Sequence, residues 1–150
     1  MDNNGMLDSA VERELALNGA YASVTRGGSM RPLFRTHRDV VVIVRADKEL
    51  KPYDVALYKG FEGQYILHRV LTVRQDCYII RGDNTFIKER VPKSAVIGVL
   101  SEFNRKGRAH TVNDFSYKLY SRLWRYIYPF RFIFFLFYKL GAKIKRSIIR

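Results

Sequence analysis

The strongest constraint on the fold is a series of short strand-like runs set close together in the middle of the chain. Val40-Val41-Val42-Ile43-Val44 is β-branched and continuous, the pattern of a buried strand, and Tyr53–Lys59, Tyr65–Arg74 and Cys77–Arg81 follow it. Gly60 and Gly63 separate the second run from the third, and Gln75 and Asp76 the third from the fourth. Strands joined this tightly pair antiparallel. Val96-Ile97-Gly98-Val99-Leu100 adds a later strand. The expectation is a mainly β fold, a small coiled antiparallel sheet with a short N-terminal helix and a helical C-terminal tail. At 150 residues the chain suits one modest core plus an appendage. It divides into an N-terminal helix and lead-in over 1–25, a β domain over 26–114 and a tail over 115–150.

Ser9-Ala10-Val11-Glu12 reads as a capping box that opens the first helix, with Leu7, Val11 and Leu15 at helical spacing on a face expected to pack on the sheet. Asp2, Asp8, Glu12, Arg13 and Glu14 interrupt every apolar run in residues 1–28, so no membrane anchor or secretory signal is expected there. The single Cys77 allows no intramolecular disulfide and sits at a strand start, where a structural role is expected. His37, His68 and His110 are scattered without ligand spacing, and no glycine-rich phosphate loop is present. Neither metal nor cofactor is expected.

Chemistry is concentrated in three fragments: Gly27-Gly28-Ser29-Met30-Arg31-Pro32, His68-Arg69 and Gly82-Asp83-Asn84. A serine hydroxyl needs an adjacent base to become a nucleophile, and that base works best when a third group fixes its tautomer. Ser29, His68 and Asp83 are candidates for the three roles, in an order that geometry permits. By strand alternation Ile66, His68 and Val70 share one face and Leu67, Arg69 and Leu71 the other. His68 therefore enters an otherwise apolar face, either as a base in a dry cleft or as a satisfied core histidine.

Taken together and in order, these fragments resemble the serine peptidases that include signal peptidase I and the LexA repressor family, over about residues 26–100. Gly27, Ser29, Met30 and Pro32 fill that family's nucleophile segment, Tyr53–Tyr58 loosely matches its next strand, and Val96–Leu100 its closing one. Where most members have a lysine base, this chain has His68, which is similar to the Ser-His subtype of the endoplasmic reticulum. That resemblance implies a serine endopeptidase with Ser29 as nucleophile, His68 as base, and Asp83 or Glu89 as the acid that orients it. Met30 and Pro32 would border the substrate, which would carry small residues before the scissile bond. Gly27 lacks the hydroxyl that many relatives place there, so oxyanion binding falls to the backbone N–H groups of Gly28 and Ser29, and turnover should be slow. Rate should rise near pH ~6.5, or higher beside a carboxylate. A catalytically idle module of the same fold is the alternative, and a LexA-like nucleic-acid regulator a more distant one.

Charge is the other signal. The chain carries a net +13, and residues 115–150 hold nine basic residues (Lys118, Arg122, Arg125, Arg131, Lys139, Lys143, Lys145, Arg146, Arg150) and no acidic one, interleaved with aromatics. Phe132–Tyr138 is an uncharged run of seven, too short to span a bilayer. A longer segment from Trp124 to Ala142 would bury Arg125, Arg131 and Lys139, each costing about 2.5–3.5 kcal/mol at mid-bilayer. The expectation is therefore a segment lying on an anionic membrane surface, on its cytoplasmic face, with a peptide substrate as the other partner and nucleic acid disfavoured. The more local reading is that Phe115–Tyr128 packs on the protein itself.

Overall fold

The computed structural model describes the backbone of residues 3–148 and the side chains of residues 10–138. Its elements run α1 (Asn3–Asn18), β1 (Ala20–Val24), β2 (Val40–Arg45), β3 (Val55–Lys59), β4 (Tyr65–Val73), β5 (Cys77–Arg81), β6 (Glu89–Pro92), β7 (Val96–Arg105), β8 (Arg108–Thr111) and α2 (Phe115–Ile148). The strands form one antiparallel sheet in the order β1-β2-β7-β3-β4-β5-β6, with β8 pairing the far end of β7. The mainly β architecture with a helix at each end agrees with the sequence pattern.

Strand β3 shows why two cores form. Val55, Ala56, Leu57 and Tyr58 are all buried, which requires cover on both faces of the sheet. Val55 and Leu57 join one cluster with Met30, Phe34, Ile43 and Phe103, while Ala56 and Tyr58 join another with Val70, Tyr78 and Ile80. Strand β2, which reads as continuously buried, behaves differently. Only Val41 and Ile43 are buried, because the opposite face is partly open. Close approach between β2 and β7 is possible because Gly98 has no side chain; a β-carbon there would lie 2.4 Å from Ile43 Cγ2.

The structure departs from the sequence pattern at the first helix and at the sheet edges. Helix α1 starts at Asn3, so Ser9 lies inside it and does not open it. Val11 and Leu15 are buried in the first core cluster, whereas Leu7 and Ser9 fall outside the described side chains, as do Lys139, Lys143, Lys145, Arg146 and Arg150. Strands β1, β6 and β8 had no counterpart in the strand-like runs, although Ala20-Tyr21-Ala22-Ser23-Val24 carries a weak alternation. The first half of α2 is part of the packed molecule, with Tyr117 in the core and Ser121 almost wholly buried. That matches the more local reading of the tail.

Candidate active site

Ser29 sits in the loop between β1 and β2. Met30, Leu33 and Phe34 anchor this loop in the core, and Phe34 meets Phe103 edge-on at 5.3 Å. Asp39, fully buried, braces the other end: its carboxylate accepts from the Arg35 N–H at 2.8 Å and pairs with Arg38 at 2.6 Å, and its carbonyl accepts from the Thr25 N–H at 2.9 Å. Gly27 takes φ of 73°, a left-handed turn that lets the chain reverse just before Ser29. The Ser29 carbonyl then accepts from the Asn84 N–H at 2.6 Å, and the Asn84 side chain donates to the Gly28 carbonyl at 3.2 Å. The Gly82–Asn84 turn is thereby fastened to the serine loop.

The candidate base, His68, comes from β4. His68 is buried and pairs in register with Ala56 of β3. Its Nδ1 lies 2.9 Å from Glu89 Oε1 on β6, and the Tyr58 hydroxyl, 3.1 Å from the same nitrogen, donates to Glu89 Oε2 at 2.7 Å. With Glu89 ionised, neutral His68 carries its proton on Nδ1 and donates it to Glu89, which leaves the Nε2 lone pair free. His68 Nε2 and Ser29 Cβ are each 3.0 Å from the point where a β-carbon on Gly82 would sit, so both side chains border the space that glycine leaves. Ser29 Oγ makes no hydrogen bond among the described residues, and the Gly28 and Ser29 N–H groups donate to none.

Burial pushes the His68 imidazole below its ordinary value of 6.5, and the opposing attraction of Glu89 does not fully offset it. This reverses the sequence-based expectation of an upward shift beside a carboxylate. The Tyr58 hydroxyl is pushed well above its usual range by burial and then by Glu89, so it stays a donor.

The two candidate acids separate. Asp83 makes no hydrogen bond or ion pair with His68 and reaches it through its charge alone. It forms a two-pronged pair with Arg69, at 2.8 Å to Nε and 2.7 Å to Nη2, with both side chains 3% exposed. Helix α2 closes over this pair: Tyr120 donates to Asp83 Oδ2 at 3.0 Å, and Trp124 Nε1 and Arg131 Nη1 both donate to its carbonyl at 2.8 Å. Arg69 in turn donates to Ser121 Oγ and to the Tyr53 carbonyl. Sequence reasoning missed Tyr58 as a partner of His68 and Arg69 as the partner of Asp83. The first had no signal beyond its place on the neighbouring strand. The second was legible in principle, since an arginine next to His68 on the opposite strand face must find an acid to be buried.

A cleft of about 450 Å³ opens beside Ser29. One wall is Ser23, Val24 and Gly27, the other Gln64–Leu67, and Phe34, Ile43 and Leu57 are among the apolar residues between them. Met30 lines it; Pro32 is exposed and lies outside it. Among the described residues the β1 wall has an open strand edge, because β1 pairs there with β2 alone, and on the other wall the pairing of β4 with β5 begins at Arg69, beyond the residues that line the cleft. An extended polypeptide could hydrogen-bond to the β1 edge. No family model matches the chain, and no curated protein matches it.

Proposed function

We propose that this protein is a serine endopeptidase of the signal-peptidase and LexA type, with Ser29 as nucleophile, His68 as general base and Glu89 as the group that orients it. The observation that carries the reading is the division of the His68 ring, with Nδ1 held by Glu89 while Nε2 and Ser29 Cβ both border the space beside Gly82. In the reaction, Ser29 Oγ attacks the scissile carbonyl carbon as its proton passes to Nε2. The oxyanion that forms is stabilised by N–H groups of Gly28 and Ser29. Collapse breaks the C–N bond, and the leaving amine takes the proton from Nε2. Water, deprotonated by the same nitrogen, then releases the acyl group and restores Ser29. The apolar cleft beside the open edge of β1 suits an extended segment with small side chains near the cut.

A second reading, a peptide-binding module without hydrolysis, is favoured by the lack of any hydrogen bond on Ser29 Oγ. One experiment separates the two. A proteome-derived peptide mixture incubated with the protein between about pH 4 and 9 and read by mass spectrometry should yield new termini that follow small residues. The rate should rise with pH through a midpoint below 6.5, because a buried His68 loses its proton more readily than a solvated one. Bound but uncut peptides would select the second reading. Cleavage with a midpoint well above 6.5 would remove neutral His68 as the base.

Gly82 offers a further check. An added β-carbon would lie 2.7 Å from the Ser29 carbonyl oxygen and 3.0 Å from His68 Nε2, so something must shift where base and nucleophile meet. Gly82→Ala is expected to lower kcat by about 10²-fold, the usual effect of a misplacement near 1 Å. Steady-state kinetics beside a thermal melt test this, and undiminished kcat in a folded variant would count against proton transfer across that gap.

A further inference from the structure

Helix α2 has two apolar faces, and the fold uses one. At 100° per residue, Tyr117, Ser121, Trp124, Tyr128 and Phe135 lie on the side that grips the sheet and the Asp83–Phe86 turn. On the other side Phe115, Leu119, Tyr126, Phe130, Ile133 and Phe137 fall within a sector of about 60°. They are 80, 44, 70, 74, 49 and 70% exposed. A stripe of this length on a 34-residue helix exceeds the scattered apolar exposure of an ordinary surface.

We propose that this outer face docks in the plane of an anionic lipid bilayer. Charge selects the occupant. Exposed Lys118 and Arg122 border the stripe, and residues 115–150 contain nine basic residues and no acid. Two copies packed stripe to stripe would bring these like charges together, whereas anionic headgroups neutralise them while acyl chains receive the aromatics. Nucleic acid would neutralise the same charge but has no use for a continuous face that includes Leu119 and Ile133. Among the described residues no helix is long and apolar enough to cross a membrane, so the helix lies along the surface.

Docking has a consequence for the site. The inner face of α2 donates from Trp124 and Arg131 to the Asp83 carbonyl, one residue from the Asn84 N–H that holds Ser29. The helix therefore fixes the catalytic loop at a set distance from the headgroups and favours segments that emerge at the bilayer surface. This second step rests on the peptidase reading.

The test uses full-length protein sedimented with vesicles of phosphatidylcholine, alone or mixed with phosphatidylglycerol, at low and high salt. Binding to the anionic vesicles should exceed binding to the neutral ones by about tenfold at low salt and weaken at high salt without vanishing. Tyr126→Ser combined with Phe130→Ser should lower the partition coefficient by about a hundredfold. Its melting temperature and its cleavage of a soluble peptide should not change. Protein that stays in the supernatant with both lipids overturns the proposal, as does a variant that binds like the parent. A dimer in light scattering that the double substitution dissolves would assign the stripe to a second copy. Vesicle binding without peptide cleavage would keep the docking and remove the peptidase reading; cleavage without binding would do the reverse.

Discussion

Ser29→Ala and His68→Ala are each expected to lower kcat/KM by about 10⁴–10⁶-fold, and the double variant to lose no more than either alone. The second half of that expectation is the sharper. Ser29 Oγ is inert until Nε2 takes its proton, and Nε2 has no role in the first step without the hydroxyl, so removing one already removes what the other does. What remains would come from the Gly28 and Ser29 N–H groups and from binding in the cleft. The peptide cleaved best by the parent protein supplies the assay, and circular dichroism establishes that each variant is folded. Ser29 is half-buried in a loop whose anchors are Met30, Leu33 and Phe34, so loss of its hydroxyl should leave the fold intact. Losses that multiply in the double variant would mean that the residues act independently. A Ser29→Ala protein with parental activity would end the proposal.

Much of the fold was legible because β-branched runs and short glycine turns leave few options. The stretch Val55–Tyr58 pairs with Ala56↔Val99 on one side and Ala56↔His68 on the other, a central position that its unbroken apolar run foreshadows. The edges were not legible. Glu89-Arg90-Val91-Pro92 has neither length nor clear alternation, and it is a strand because β5 offers it a partner, Cys77↔Pro92 through Ile80↔Glu89. The site shows the same division. Ser29, His68 and an acid can be found by type and spacing, but the choice between Asp83 and Glu89 depends on strand register and bulges. His68 shares its sheet face with Tyr58 and lies under Glu89, while Arg69, one residue on, faces Asp83 across the sheet. The tail's aromatics could be counted in sequence, but not divided between an inner and an outer face until α2 had something to lie against.

The two acids should therefore fail in different ways. Asp83→Asn is expected to cost about 3–5 kcal/mol of stability, because it leaves the Arg69 guanidinium buried with its charge unanswered. Arg69 is held strongly protonated: burial opposes its charge, but Asp83 at 2.7 Å more than compensates, and no deprotonation can relieve the loss. The same substitution weakens the Tyr120 contact that helps seat α2. Denaturant unfolding measures the cost, and replacing both partners, Asp83→Leu with Arg69→Met, should recover part of it, since an apolar pair carries no desolvation penalty. Glu89→Gln should behave in the opposite way. Its side chain is 36% exposed, so little stability depends on it. An amide, however, can present its NH2 to Nδ1 and favour the tautomer with the proton on Nε2, which blocks the nucleophile's proton from leaving. A loss in kcat of about 10²–10⁴-fold follows, with unfolding almost unchanged. Were Asp83→Asn instead stable and inactive, and Glu89→Gln active, the acid that serves His68 would be Asp83 and the assignment drawn from the Nδ1 contact would be wrong.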